Sequence, residues 1–335
     1  MEFVVGPVNA EVFPMSRKST GRGVGLFRMS RRQWLAGSLA IGLGGSIPKA
    51  QADEAGDAAA EESVRSRAKS AGLNLKGFGS NRSGHYLAVG NAGEAFRVEA
   101  LDLCEKLSAT YQTTFKAKGF QAPLPRGRMA LVVMADRVAY EAFKGEPAGA
   151  SEGGHYDIDA DRLVMYDFRA GGAIDAGANT TRLNTFTLVH EAIHQLTFDT
   201  GLLARKADVP VAVSEGLATY GETWLKARQT MGRVNDPRLS VLKKPGAVEW
   251  IEVEDLLTRD ALFSDAATEQ IAYAEAWLLV YHLLKTPAKA AKLRMYLESL
   301  NTRRDSSHRA EDAAEALGNL AGLDRELKKA SRLLP

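Results

Sequence analysis

Residues 190–194 read His190-Glu191-Ala192-Ile193-His194, and a further carboxylate, Glu215, follows 21 positions later in Ser214-Glu215-Gly216. Residues four apart on an α-helix lie about 40° apart around its axis, so a helix through this segment turns both imidazoles toward one point. Two neutral imidazoles and one carboxylate can hold a divalent metal and leave a fourth position for water, the arrangement of catalytic rather than structural sites. Glu191 stands beside the ligands, where it can take a proton from such a water. Any fold of this chain must therefore bring the helix of His190 and the segment of Glu215 together.

The surrounding pattern supplies the helices. Leu183, Phe186, Val189, Ile193 and Leu196 recur at helical spacing and predict an apolar stripe beside the histidines. Val213, Leu217, Tyr220 and Trp224 do the same downstream of Pro210, which predicts a second helix starting near residue 211 with Glu215 in its first turns. Gly216 costs a helix interior roughly 1 kcal/mol relative to alanine, so it predicts close packing against a neighbour, with the metal helix the expected one. A third helix spans Tyr273 to His282; its stripe of Tyr273, Trp277, Tyr281 and Leu284 reads equally as core.

His190-Glu191-x-x-His194 followed by Glu215-Gly216-x-Ala218-x-Tyr220 resembles the gluzincin zinc metallopeptidases, most closely the bacterial peptidase-MA-like group. The resemblance covers roughly residues 80 to 300 and is specific only on the two helices. It implies one Zn2+ per chain held by His190, His194 and Glu215, with Glu191 as general base, and it implies a zincin-like α+β fold. Such a hydrolase also needs a donor for the tetrahedral oxyanion; the resemblance points to Tyr273, with His282 as the alternate. Some gluzincins place an acid four residues after the ligand glutamate to orient a histidine; Thr219 stands there here, which leaves Thr219 or Glu222 for that task. No Gly-x-Met-Glu-Asn segment of the aminopeptidase branch is present, and this favours an endopeptidase.

The amino terminus speaks to location. Ser30-Arg31-Arg32-Gln33-Trp34-Leu35 resembles a twin-arginine export signal, and an apolar run from Trp34 to Ile47 leads to Ala50-Gln51-Ala52. That run is too short to span a bilayer, so residues 1–52 read as a signal peptide with an N-terminal extension, leaving no stable membrane anchor after cleavage. The export machinery would be a transient partner, and the mature protein is expected in a bacterial periplasm or outside the cell. Residues 53–335 hold 36 basic and 39 acidic residues, so the basic balance belongs to the signal, and no single-sign block points to nucleic acid. With Cys104 alone, no intramolecular disulfide can form, and its neighbours at helical spacing place it in the core.

The remaining chain completes an α+β plan. Residues 53–78 read as a flexible leader and residues 79–335 as one domain, with an α/β part (79–181) and a helical part (182–335). Strands are predicted at His85–Val89 and Met129–Met134, with helices over Ala92–Phe115 and Arg137–Lys144. A strand at Arg162–Phe168 is expected to form a hairpin with Gly154–Ile158, His155 being a surface residue of the turn, and Gly171–Asn179 a flexible connection. By resemblance to zincins, Leu163–Asp167 is the candidate rim that binds extended substrate. Beyond Arg182 the pattern is helical, ending in a tail with Leu317, Leu320, Leu323 and Leu327.

Two function classes fit these readings. One is an exported zinc-dependent metallopeptidase acting on a peptide or protein substrate. The other is a catalytically silent metal-binding or scaffolding domain of the same fold. Glu191 favours the first, because metal binding alone does not need it.

Overall fold

Strands that are apolar at nearly every position must be covered on both faces. The computed structural model, which describes residues 49–149, 152–167, 178–244 and 249–335, shows how. Five strands form one sheet: β1 (Gly79–Arg82), β2 (Tyr86–Gly90), β3 (Met129–Met134), β4 (Gly154–Asp157) and β5 (Arg162–Tyr166). Their order is β1-β2-β3-β5-β4, with the three central strands parallel and both edges antiparallel. The two-residue period of a strand then sorts side chains between two cores. Tyr86, Ala88, Leu131, Val133, Leu163 and Met165 enter one, while Leu87, Val89, Val132, Met134, Val164 and Tyr166 enter the other.

The first core is closed by α2 (Glu94–Ala117) and α4 (Ala178–Asp199), the helix that carries both histidines. Cys104 lies fully buried there, where burial pushes its thiol well above the usual range. The second core is closed by α3 (Arg137–Lys144), capped by the Asp136 side chain, and by α1 (Lys49–Ser70). That last helix corrects the expectation of a flexible leader. Val64 and Ala68 are buried against the sheet, and Asp57 accepts hydrogen bonds from Arg82 (2.8 Å) and Arg128 (2.9 Å). The alanine-rich segment anchors itself through a few small contacts and one buried carboxylate rather than through a broad apolar stripe.

The helical part continues with α5 (Val211–Gly221), α6 (Asp236–Lys243), α7 (Val253–Thr258), α8 (Glu269–Leu283), α9 (Pro287–Leu300), α10 (Arg309–Leu317) and α11 (Leu320–Leu333). Helix α8 is apolar almost all round and is buried on nearly every side, as such a helix must be. Among the described residues no helix is long and apolar enough to cross a membrane. The export-like segment and residues 171–177 of the expected flexible connection lie outside the described residues.

Gly216 does mark close packing, but its neighbour is α8 rather than the metal helix. A Cβ at this position would stand 2.6 Å from the Ala276 carbonyl oxygen. The glycine that faces the metal helix is Gly221, where a Cβ would collide with Ile193. Gly216→Ala gains about 1 kcal/mol of helix propensity but forces a backbone contact that no rotamer change can relieve, at about 1–3 kcal/mol. A net loss, read as a lower thermal midpoint, is expected; an alanine variant as stable as the parent would show that α5 and α8 have room to spare.

Candidate metal centre

One turn of α4 separates His190 from His194, and their Nε2 atoms lie 3.3 Å apart. Glu215, in the first turns of α5, brings Oε2 to 3.2 Å from His190 Nε2 and Oε1 to 3.4 Å from His194 Nε2. A tetrahedral ion with bonds of about 2.0–2.1 Å holds its ligand atoms about 3.3–3.4 Å apart, so the three side chains stand at the separations a small divalent metal requires. All three ligand positions lie within 4.8 Å of one another, and this cluster could hold a metal ion. Pro210 precedes α5 without capping it through a side chain; instead Asp260 accepts from the Val211 N–H at 3.0 Å and is itself held by Arg309.

The outer nitrogens are also engaged. Glu222 Oε1 lies 2.9 Å from His190 Nδ1, so a proton on Nδ1 is held by the carboxylate and Nε2 is left for the metal. Ser214 Oγ is 3.1 Å from His194 Nδ1. Between the two partners left open by the sequence, Glu222 takes the orienting place. Thr219 turns its hydroxyl back to the carbonyls of Glu215 (2.6 Å) and Gly216 (3.1 Å). Glu222 is in turn gripped by Arg238 through Nη2 (2.8 Å) and Nε (3.3 Å), and by Asn235 Nδ2 (2.8 Å). Sequence reasoning missed Ser214, Asn235 and Arg238; Asn235-Asp236-Pro237 is legible as a helix start, but nothing in it shows the tie to Glu222.

Residues 184–305 match the model of a family described as a protein of unknown function, DUF1570. No curated protein matches the chain. The DUF1570 segment runs from within α4 to just beyond α9, so it contains the triad, Glu222, Arg238 and Tyr273, and leaves the sheet outside.

The sheet nevertheless reaches the centre. Glu191 Oε2 accepts the Tyr156 N–H of β4 at 2.8 Å, and the Tyr156 ring stacks on Phe198 of α4 at 5.9 Å. Burial raises the Glu191 pKa, and the two histidines offset that only in part, so this carboxylate is a stronger base than an exposed one. The expected substrate rim needs correction here. Strand β5 is paired with β3 on one side and β4 on the other, so Leu163–Asp167 offers no open edge. The open edge belongs to β4, and His155 is part of that strand, its Nδ1 2.7 Å from the Tyr140 hydroxyl.

The remaining site residues divide. The Tyr273 ring lies 5.2 Å from the Arg238 guanidinium, and burial, with the charges of Glu215 and Glu191, pushes its phenol well above the ordinary value, so the hydroxyl keeps its proton. His282 is a correction: nine residues along α8 turn it about 180° from Tyr273. There it meets Glu326 of α11 at 3.0 Å and Lys289 of α9, away from the triad. Phe186 also departs from the core stripe, being 43% exposed one turn before His190, whereas Val189, Ile193 and Leu196 are buried.

The electrostatics of the metal-free cluster predict a pH signature. Burial opposes a charged His190, but the hydrogen bonds it donates to the Glu215 and Glu222 carboxylates outweigh it and lift the pKa from 6.5 to about 10. Stability from this proton is complete below pH 6.5 and lost as pH rises to about 10. Glu215 and Glu222 run oppositely: despite burial, their histidine partners hold both below the usual 4.5, so their contribution is present above that value and lost as pH falls through the lowered ones. Metal must displace the His190 proton, so zinc affinity should climb by up to about tenfold per pH unit over the alkaline window. Calorimetry with and without metal should show a thermal midpoint that falls from pH 6.5 to about 10 only in the metal-free protein. A flat profile would contradict the paired His190.

Proposed function

We propose that this chain is an exported, zinc-dependent endopeptidase that hydrolyses peptide or protein substrates. The observation that carries the reading is the Glu191 carboxylate anchored by the Tyr156 N–H beside a triad of two histidines and one glutamate. The resemblance to gluzincins rests on the same four side chains, and the twin-arginine-like segment supports export. Bound zinc would supply polarisation of the scissile carbonyl and an acidified water.

The chain's own residues would do the rest. Tyr156 holds Glu191 Oε2, leaving Oε1 to accept the water proton and pass it to the departing amine nitrogen. Glu222 and Ser214 hold the two imidazoles so that their Nε2 atoms face the metal. The Tyr273 hydroxyl would donate to the oxyanion.

Full-length protein should carry about one zinc per chain by plasma mass spectrometry, lost in His194→Ala. Glu191→Gln should keep that metal while cleavage of fluorescent casein and of a mixed quenched-peptide library falls about 100- to 10,000-fold. Unchanged turnover would remove Glu191 from the mechanism. A zinc-loaded parent that cleaves nothing in the library would favour the silent metal-binding domain instead. Tyr273→Phe should lower kcat about 100-fold or more with zinc content intact; an unaffected kcat would move the oxyanion donor elsewhere.

A further inference from the structure

Arg238 lies in the first turn of α6, and that turn is fixed from outside. Asn235 caps the helix by accepting from the Arg238 N–H (3.4 Å), while its own Nδ2 donates to the Thr219 carbonyl (3.1 Å) and to Glu222 Oε2 (2.8 Å). The start of α6 is thereby pinned to the end of α5. From this base the guanidinium makes two contacts of different kinds. Its edge forks onto the Glu222 carboxylate, through Nη2 at 2.8 Å and Nε at 3.3 Å. Its flat Cζ centre lies over the Tyr273 ring, 5.2 Å from the centroid. Phe263 restrains the same ring, in an edge contact at 5.3 Å and 73°. Among the described residues no hydrogen bond is made by the Tyr273 hydroxyl, so packing of its ring, against Arg238, Phe263 and the core, sets where that group points.

We propose that Arg238 is a positioning residue with two clients: Glu222, through which it fixes His190, and Tyr273, whose ring it holds beside the metal centre. The inference rests on the metal reading above and adds a mechanical link between metal affinity and the placement of the donor hydroxyl. Arginine suits both tasks because a planar guanidinium offers a rigid hydrogen-bonding fork along its edge and a cationic face for an aromatic ring. Lysine supplies the charge but neither the fork nor the face. Metal binding that orders Glu222 thus also steadies the guanidinium under Tyr273.

The test uses full-length protein carrying 3-fluorotyrosine, with the Tyr273 fluorine resonance assigned through Tyr273→Phe, and zinc affinity read by competition with a chromophoric chelator. In Arg238→Gln, zinc affinity should fall about tenfold and the Tyr273 resonance should move. Arg238→Lys should restore neither to the parent value, and it serves as the reading if the glutamine variant fails to fold. Phe263→Leu should move the resonance while leaving zinc affinity unchanged, which separates loss of a ring contact from general disruption. Either readout staying at its parent value in both arginine variants overturns the link. A parent protein that takes up no zinc overturns the metal reading and the coupling with it, whereas failure of the coupling alone shows as normal zinc uptake with one readout unmoved.

Discussion

A carboxylate taken out of water needs a cation or several donors facing it, and Glu222 is where this structure meets that demand most fully. Its two oxygens receive His190 from α4 together with Arg238 and Asn235 from the start of α6. Helices α4, α5 and α6 therefore converge on one buried side chain. The triad depends on this convergence, because His190 can present Nε2 inward only while its Nδ1 is occupied. Arg238 reaches Tyr273 only because the same carboxylate fixes its guanidinium.

Helix α8 supplies the second constraint. It is the packing partner of α5, close enough that Gly216 has no room for a Cβ, and it carries Tyr273 on the side of α6 and Arg238. Its other side carries His282 into contact with α9 and α11. One helix thus faces α6 on one side and α9 and α11 on the other, and the Tyr273 and His282 candidates fall on opposite sides because nine residues separate them.

The sequence was most informative where local pattern and burial agree. Met129–Met134 and Arg137–Lys144 form a strand and a helix with the bounds their pattern implies, and α5 starts at Val211 after Pro210. The triad was legible because helical spacing and ligand chemistry are both local. Strand β1 escaped notice, since Gly79-Ser80-Asn81-Arg82 has no apolar alternation and is held by its pairing with β2. Helix α1 escaped because its composition matches a solvated segment, and only tertiary contacts to Arg82 and Arg128 show that Asp57 is buried. Strand order was equally hidden: a hairpin pattern does not say which of its two strands will lie against β3. Arg238 and Asn235 went unseen because a buried ion pair between distant segments leaves no periodic trace.

The hydrogen bond from Tyr156 to Glu191 also bears on how the protein keeps to itself. An exposed strand edge is a template on which other chains can add, and natural sheets blunt it by brevity or by occupying its donors. Strand β4 has four residues, and the N–H of its third is already committed to a side chain from α4. Little continuous ladder is left for unsolicited pairing between copies. The contact that ties Glu191 to the sheet therefore also leaves the β4 edge with one donor fewer for a second copy to use.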